Sequence, residues 1–261
     1  MNASLSNSTE PRRATRLTEP AAERLEVGGF TAFSTCDWPG ELVATVFCQG
    51  CPWDCGYCHN PHLRPRGLQR GATGAGTISW ADIIEQLRER VSLLDAVVFS
   101  GGEPTLQAAL PAAMQAVRTL GLRVGLHTAG PYPQRLTRVL GLVDWIGFDA
   151  KAPFTQYQAV TGVPGSGARA RESLRRVIAA GVACEVRTTI HPALLDTAAI
   201  EALASYLAGL GVQHYAVQAF HEAGCRPAFL RAHGTAAGVL PDGLERLFFR
   251  FTLRGAGIEL A

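Results

Sequence analysis

Short apolar runs punctuate the chain at 42–47, 96–100, 122–126, 145–148, 184–189 and 214–217, and each is bounded by turn-forming residues. Runs this short and this continuous predict buried strands. Between them apolar residues recur at helical spacing, as at Ile83, Ile84, Leu87, Val91 and Leu94 behind a Ser79-x-x-Asp82 start signal. Further helices are predicted over 106–120, 133–140, 169–180, 196–210 and 242–253, and Gly121, Gly181 and Gly211 stand where helices stop. Six βα units in this rhythm imply an α/β fold with a parallel sheet and right-handed crossovers. The pattern leaves open whether that sheet is doubly wound or a barrel, complete or partial. No internal repeat is visible. Residues 1–24, rich in Ser, Thr, Arg, Pro and Glu, read as a disordered leader, with one core domain over 25–261. The Gly/Arg-rich stretch 62–77 reads as a loop within that domain.

Composition narrows the function classes. The 261 residues are 47% apolar and 18% charged, enough for a sizeable core, and the net charge is only +2. No block of like charge supports nucleic-acid or membrane-surface binding. No apolar run is long enough to span a membrane, and the N-terminus lacks the apolar core of a signal peptide. The expected setting is therefore the reducing cytoplasm, where cysteines serve metals or catalysis rather than disulfides. The odd count of seven cysteines agrees.

Four of those cysteines, Cys48, Cys51, Cys55 and Cys58, fall within eleven residues directly after the first apolar run. Thiolates packed so closely suit zinc, copper(I) or an iron–sulfur cluster. Read as two C-x2-C pairs they suggest zinc, but three residues between the pairs leave no room for two knuckles around one ion. Without Cys48 the run becomes Cys51-x3-Cys55-x2-Cys58. Three ligands to a four-iron cubane leave one iron open to bind something else. A zinc-stabilised binding module remains the alternative from a different class.

This loop, with Tyr57 before its last cysteine and placed at the end of a strand, resembles that of the radical S-adenosylmethionine (SAM) superfamily. The segments Ser34-Thr35-Cys36-Asp37-Trp38-Pro39-Gly40, Gln49-Gly50-Cys51 and Tyr57-Cys58-His59-Asn60-Pro61 resemble the activases of glycyl-radical enzymes, most of all those of anaerobic ribonucleoside-triphosphate reductases. The likeness spans about residues 27–225; Cys36 and Cys48 depart from it, standing in place of Val or Ile and of Thr. It implies a partial (βα)6 TIM-like barrel, an oxidoreductase holding one 4Fe–4S cluster on Cys51, Cys55 and Cys58, and SAM as the second cofactor. It also implies a glycyl-radical enzyme as partner and a flavodoxin or ferredoxin-type electron donor. A radical SAM enzyme acting on a small molecule, such as a deazaguanine synthase, or on another glycyl-radical enzyme is the rival within the class.

Gly101, Gly102 and Glu103, where the second run enters a Gly-Gly-Glu-Pro turn, match the superfamily's site for the SAM amino group. Asp149, Ala150 and Lys151 match a segment that contacts SAM, whose Asp can also help hold a monovalent cation. His127 stands where some relatives carry an Asp for that cation. His221 resembles a ribose-contacting histidine, and Tyr57, Cys58 and His59 complete the cofactor-binding set. Arg187, from its own chemistry, is either a fork for the SAM carboxylate or a structural ion-pair partner. Residues 62–183 contain no cysteine, and only Cys184 and Cys225 follow, so a single cluster is expected.

Overall fold

The computed structural model describes residues 21–65, 78–222, 225, 227–233, 238–255 and 259–260. Its main sheet has eight strands: β1 (Val27–Ser34), β2 (Val43–Cys48), β3 (Ala96–Gly101), β4 (Arg123–Thr128), β5 (Trp145–Asp149), β6 (Ala183–Ile190), β7 (His214–Ala219) and, after the short β8 (Val239–Leu240), β9 (Arg250–Arg254). A two-stranded sheet pairs β8 with β10 (Glu259–Leu260). The helices are α1 (Trp80–Arg90), α2 (Leu110–Thr119), α3 (Pro133–Val139), α4 (Tyr157–Thr161), α5 (Ser166–Ala179), α6 (Thr197–Gly209) and α7 (Pro227–His233). Among the described residues no helix is long and apolar enough to cross a membrane.

Strand order decides between the two architectures left open above. From β2 to β7 the strands are parallel and lie side by side in sequence order. A doubly wound sheet needs a reversal of order so that helices cover both faces. Sequential order with right-handed crossovers puts every helix on one face, so the sheet curls into a partial barrel. β1 adds antiparallel to β2, β9 adds parallel to β7, and no pairing joins β1 to β9.

The six predicted strands all form, shifted by a residue or two at their ends. The Ser79–Asp82 signal is a full capping box for α1. Gly121, Gly181 and Gly211 carry φ of 86°, 67° and 91°, as helix stops require. The predicted helix at 242–253 does not form: a 3-10 turn at Leu244–Leu247 leads into β9. Leu244, Leu247, Phe248 and Phe251 share helical spacing, yet Leu247 is exposed while Leu244 and Phe248 are buried. Phe251 and Thr252 pair with Tyr215 and Ala216 of β7 instead, so the free edge of that strand overrides the local period. β1 was not predicted, because its glycines and polar residues hide the alternation of an edge strand. The leader lies outside the described residues up to 20, and Ala22–Arg24 form a 3-10 turn. Of the predicted loop, 66–77 lies outside the described residues.

Two apolar clusters hold the fold. The larger joins the helices to the helix-facing side of the sheet. The smaller fills the inner end of the barrel with Trp38, Val43, Ala96, Val98 and Trp145. Trp38 enters from the loop after β1 and stacks on Trp145 with centroids 5.2 Å apart, over Gly125, where a Cβ would meet the indole. The motif containing Trp38 thus plugs the barrel floor. Replacing Trp38 with Ala should cost about 3–5 kcal/mol, read as a lower urea midpoint with an unchanged slope.

Candidate active site

The cysteine loop leaves β2 at Cys48 and is fixed by its own backbone. Gly50 N–H donates to the Leu63 carbonyl (2.7 Å) and Cys51 N–H to the Arg64 carbonyl (3.0 Å), closing the loop at its base. The Gln49 amide donates to the carbonyls of His62 and Pro65. Arg64 ties the loop's crown, donating to the Trp53 carbonyl and pairing with Asp54 at 2.6 Å. Asp54 N–H donates to the Thr161 carbonyl, anchoring the crown on α4.

The Gly101–Gly102 turn, at the end of β3, lies directly against this loop. Gly101 has φ of 112°, and a Cβ there would collide with the Cys48 backbone. A Cβ on Gly102 would collide with the Gly50 carbonyl. Gly102 N–H donates to the Cys48 carbonyl (2.9 Å) and Glu103 N–H to the Gly50 carbonyl (2.8 Å). The two glycines therefore make room for the chain's own loop. Glu103, 2% exposed, accepts from Thr105 N–H, Thr105 Oγ1 and Thr128 Oγ1 through one oxygen and from Ala129 N–H (3.1 Å) through the other. Burial pushes its pKa above the ordinary carboxyl value, against the pull of those donors.

Side chains on alternate positions of the strands point into the barrel, and those at the carboxyl ends of β3 to β6 meet the cysteines. Ser100, His127, Asp149, Arg187 and Thr189 line one cavity of about 190 Å³ with Cys51, Trp53, Cys55, Tyr57, Cys58, His59, Gly101, Gly102, Glu103 and Lys151. Of the sequence-selected residues only Ala150 and His221 lie off this cavity. Ala150 is buried; its N–H donates to the Arg187 carbonyl, and its carbonyl accepts from Thr188 Oγ1. His221 lines a neighbouring cleft of about 710 Å³ that shares His59, His127, Asp149, Arg187 and Thr189 with the first. The cleft is also lined by Thr35, Cys36, Asp37 and Pro39, which follow β1, and by Arg254 and Gly255 at the end of β9. It thus runs across the gap between the two free edges of the sheet. Cys48 is fully buried and lines neither space.

Asp149 sits between two cations, with Oδ1 3.0 Å from Arg187 Nη2 and Oδ2 3.6 Å from Lys151 Nζ. Burial works against its charge, but Arg187 and Lys151 outweigh it and hold the carboxyl below its ordinary range. Burial also opposes the Lys151 ammonium, yet its surroundings, with the Asp149 carboxylate the anion among them, keep its pKa well above the usual lysine value. Gly147 makes the Arg187 position possible, because a Cβ there would lie 2.8 Å from the guanidinium carbon.

His127 completes the arrangement. Its Nε2 lies 2.7 Å from the Asp37 carbonyl, which can only accept, so Nε2 carries the proton and Nδ1 accepts from Ser100 Oγ at 3.0 Å. Arg187 Nη1, 3.2 Å from Nε2, then finds no acceptor there and keeps its donor capacity for the cavity. Burial, then the Arg187 charge, depress the imidazole pKa to about 3. Burial pushes Cys51 up to about 12, with Glu103 and Cys55 adding and the Trp53 backbone N–H opposing; burial raises Cys55 likewise. Both are thiols until a metal displaces their protons. Trp53 Nε1, the Tyr57 hydroxyl and His59 Nε2 are buried with no hydrogen-bond partner among the described residues.

Sequence reasoning did not select Trp53, Asp37, Ser100, Thr128 or Thr189. The signal for Ser100, Thr128 and Thr189 was their place at strand ends. Asp37 and Trp53 lay inside motifs read for other residues.

The family model described as the radical SAM superfamily matches residues 45–205. A protein of Methanocaldococcus jannaschii named "Putative glycyl-radical enzyme activating enzyme" is 30% identical over 204 residues, covering 74% of this chain and 79% of that one. A protein of Haemophilus influenzae with the same name is 34% identical over 121 residues, covering 46% of this chain and 44% of that one. Among solved structures, Streptococcus suis SuiB bound to S-adenosylmethionine has a TM-score of 0.54 at 16% identity, over 67% of this chain and 39% of that one. SuiB bound to precursor peptide SuiA reaches 0.60 at 14% identity, over 82% and 48%. The chain belongs to the radical SAM superfamily, close to the glycyl-radical activases, and its cofactors are a 4Fe–4S cluster and SAM. The site fits them: three cysteines, the Glu103 carboxyl and the two mostly buried cations Lys151 and Arg187 line one space.

Two outcomes test this geometry. Gly102→Ala should destabilise the fold by about 1–3 kcal/mol and cut cluster uptake on anaerobic reconstitution; full uptake would contradict the loop-on-turn packing. A histidine titrates near 6.5 when unfolded but near 3 at His127, so between these values the unfolded chain binds the extra proton. Stability from this group is complete above pH 6.5 and drains away as pH falls. His127→Gln should therefore flatten the pH dependence, narrowing the loss at pH 4 by about 2–3 kcal/mol, measured by urea unfolding from pH 7 to 4.

Proposed function

We propose that this chain is an activase that generates a glycyl radical on an anaerobic ribonucleoside-triphosphate reductase, working in the cytoplasm with a flavodoxin or ferredoxin-type electron donor. One observation carries the reading: the cysteine cavity opens into a cleft that crosses the gap between the sheet's free edges. A reaction centre approached from such a side can receive a loop of another protein. The activase-named relatives support the same substrate class.

In this reading Cys51, Cys55 and Cys58 hold the cluster. Glu103 Oε2, which among the described residues accepts from Ala129 N–H, would take the SAM ammonium beside the Gly101–Gly102 backbone. Arg187 uses Nε and Nη2 on Asp149, the ion-pair role, and keeps Nη1 for the SAM carboxylate, so it would meet that group through one nitrogen rather than as a fork. Asp149 holds Arg187 and Lys151 in place, and Ala150 fixes the strand end through its engaged backbone. Tyr57, Cys58 and His59 form the wall towards the adenosyl group, and His221, from the cleft, reaches its ribose. With cluster and SAM bound, the chemistry they would supply is reductive cleavage of SAM by one electron from the donor, with a hydrogen atom of the glycine α-carbon ending in 5′-deoxyadenosine and the unpaired electron on the glycine. The protein binds, orients and excludes water.

Anaerobic incubation with SAM, a one-electron reductant and a candidate anaerobic ribonucleoside-triphosphate reductase, read by electron paramagnetic resonance, tests the proposal. A glycyl doublet is expected with wild type and is expected to vanish with Cys55→Ala. Release of 5′-deoxyadenosine without a doublet would reject that reductase as partner and leave radical SAM chemistry standing.

A further inference from the structure

We propose that Gln218 and Thr189 form the subsite that grips a main-chain amide of the substrate polypeptide next to its glycine. The proposal rests on the reading above that the substrate is a loop of another protein. The two residues are register neighbours at the carboxyl ends of β7 and β6. Tyr215 and Val217 of β7, like Val186 and Ile190 of β6, belong to the core beneath the helices, so Gln218 and Thr189 alternate with them and point into the barrel. Both are half-buried and both line the lateral cleft. Thr189 lines the cysteine cavity as well, which places it where the two spaces meet. A segment entering by the cleft therefore passes Gln218 and reaches Thr189 at the edge of the reaction centre.

The charged groups around them are already committed to one another. Arg254 donates through both Nη atoms to Glu185, at 2.7 and 2.8 Å. Arg187 gives Nε and Nη2 to Asp149, and Asp37 Oδ2 accepts from Thr45. The carboxylates Asp37, Asp149 and Glu185 outnumber the guanidinium groups of Arg187 and Arg254, so the cleft offers no surplus cation to a phosphorylated or carboxylated small molecule. The side chains of Gln218 and Thr189, by contrast, have no hydrogen-bond partner among the described residues. A primary amide presents a carbonyl and two N–H donors, and a hydroxyl both donates and accepts, so the pair matches the N–H and C=O of a peptide unit. Contacts of this kind hold a chain by its backbone, which suits a glycine with no side chain to grip.

The test uses the full chain with its reconstituted cluster and the candidate reductase, following the glycyl doublet at increasing reductase concentration. Gln218→Ala should raise KM for the reductase about tenfold, the loss of one well-placed hydrogen bond, with kcat held within about twofold. An unchanged KM, or a loss confined to kcat, would overturn the proposal. Binding without turnover is read by fluorescence anisotropy of a labelled synthetic peptide copied from the glycine loop of the reductase. Versions in which an ester replaces the amide on either side of the glycine remove one N–H each. One of them should bind wild type about tenfold more weakly, and that loss should disappear in Gln218→Ala; an equal loss in both proteins would count against the pairing. Should Gln218→Ala misfold, equal binding of ester and amide peptides to wild type sinks the proposal by itself. A wild-type chain that neither forms the radical nor binds the peptide would defeat the proposed function, and this subsite with it.

Discussion

Everything at the site depends on how closely the cysteine loop lies on the turn that ends β3. Two glycines without side chains let Cys48 and Gly50 come within hydrogen-bond reach of Gly102 and Glu103. That contact sets the loop's height above the sheet, and the clamp of Arg64 on Trp53 and Asp54 sets its tilt. Glu103 then carries the restraint across to β4 by accepting from Thr128 and Ala129. A buried carboxylate is costly unless several donors serve it. Here the donors come from two strand ends, so the same carboxylate that bounds the cavity also spaces its walls.

A second constraint is electrostatic. Asp149 alone bridges Arg187 and Lys151, and both cations are mostly withdrawn from water. The trio carries one net positive charge, and the Glu103 carboxylate on the same cavity balances it when ionised. Thiolates bound to iron are anionic, so the Lys151 ammonium, close to Tyr57 and Cys55, gains part of its compensation from them. His127 is kept out of this balance. Its proton is committed to the Asp37 carbonyl and its free nitrogen to Ser100, and a neutral ring beside Arg187 adds no further positive charge.

Much of this was legible in the sequence, and what was hidden has physical causes. The parallel strands β2 to β7 announced themselves because both faces are buried, which leaves short unbroken apolar runs. The edges β1 and β9 did not. β1 mixes Gly28 and Gly29 with polar residues, and the apolar residues leading into β9 repeat at a spacing a helix could also use. Barrel and doubly wound sheet differ only in which strands lie side by side, and strand order is invisible to local periodicity. The site residues were found through the cysteine spacing and the strand-end charges, since chemistry of that kind has few other uses. The glycine turn was selected for close approach to a ligand. The structure shows those glycines also yielding to the chain's own backbone, a long-range contact that no local pattern reports. Gly147 escaped notice for the same reason, its lack of a side chain mattering only because Arg187 of the next strand lies over it.

The missing edges bear directly on function. Six sequential parallel strands curl, but closure would need β1 and β9 to pair, and β1 runs antiparallel to its neighbour while β9 ends beside β7. The barrel therefore stays open along one side, with its inner end stopped by the Trp38–Trp145 stack. A floor that is sealed and a side that is not leave the lateral cleft as the broad approach to the cysteines. Asp37 connects these features. Its backbone carbonyl fixes the His127 tautomer, its carboxylate accepts from Thr45 at 2.8 Å, and the next residue is the tryptophan that plugs the floor. The short segment after β1 thus seals the barrel below, sets a neutral wall within it and lines the cleft above, which explains why the second recognisable motif lies so far from the cysteines yet belongs to the same site.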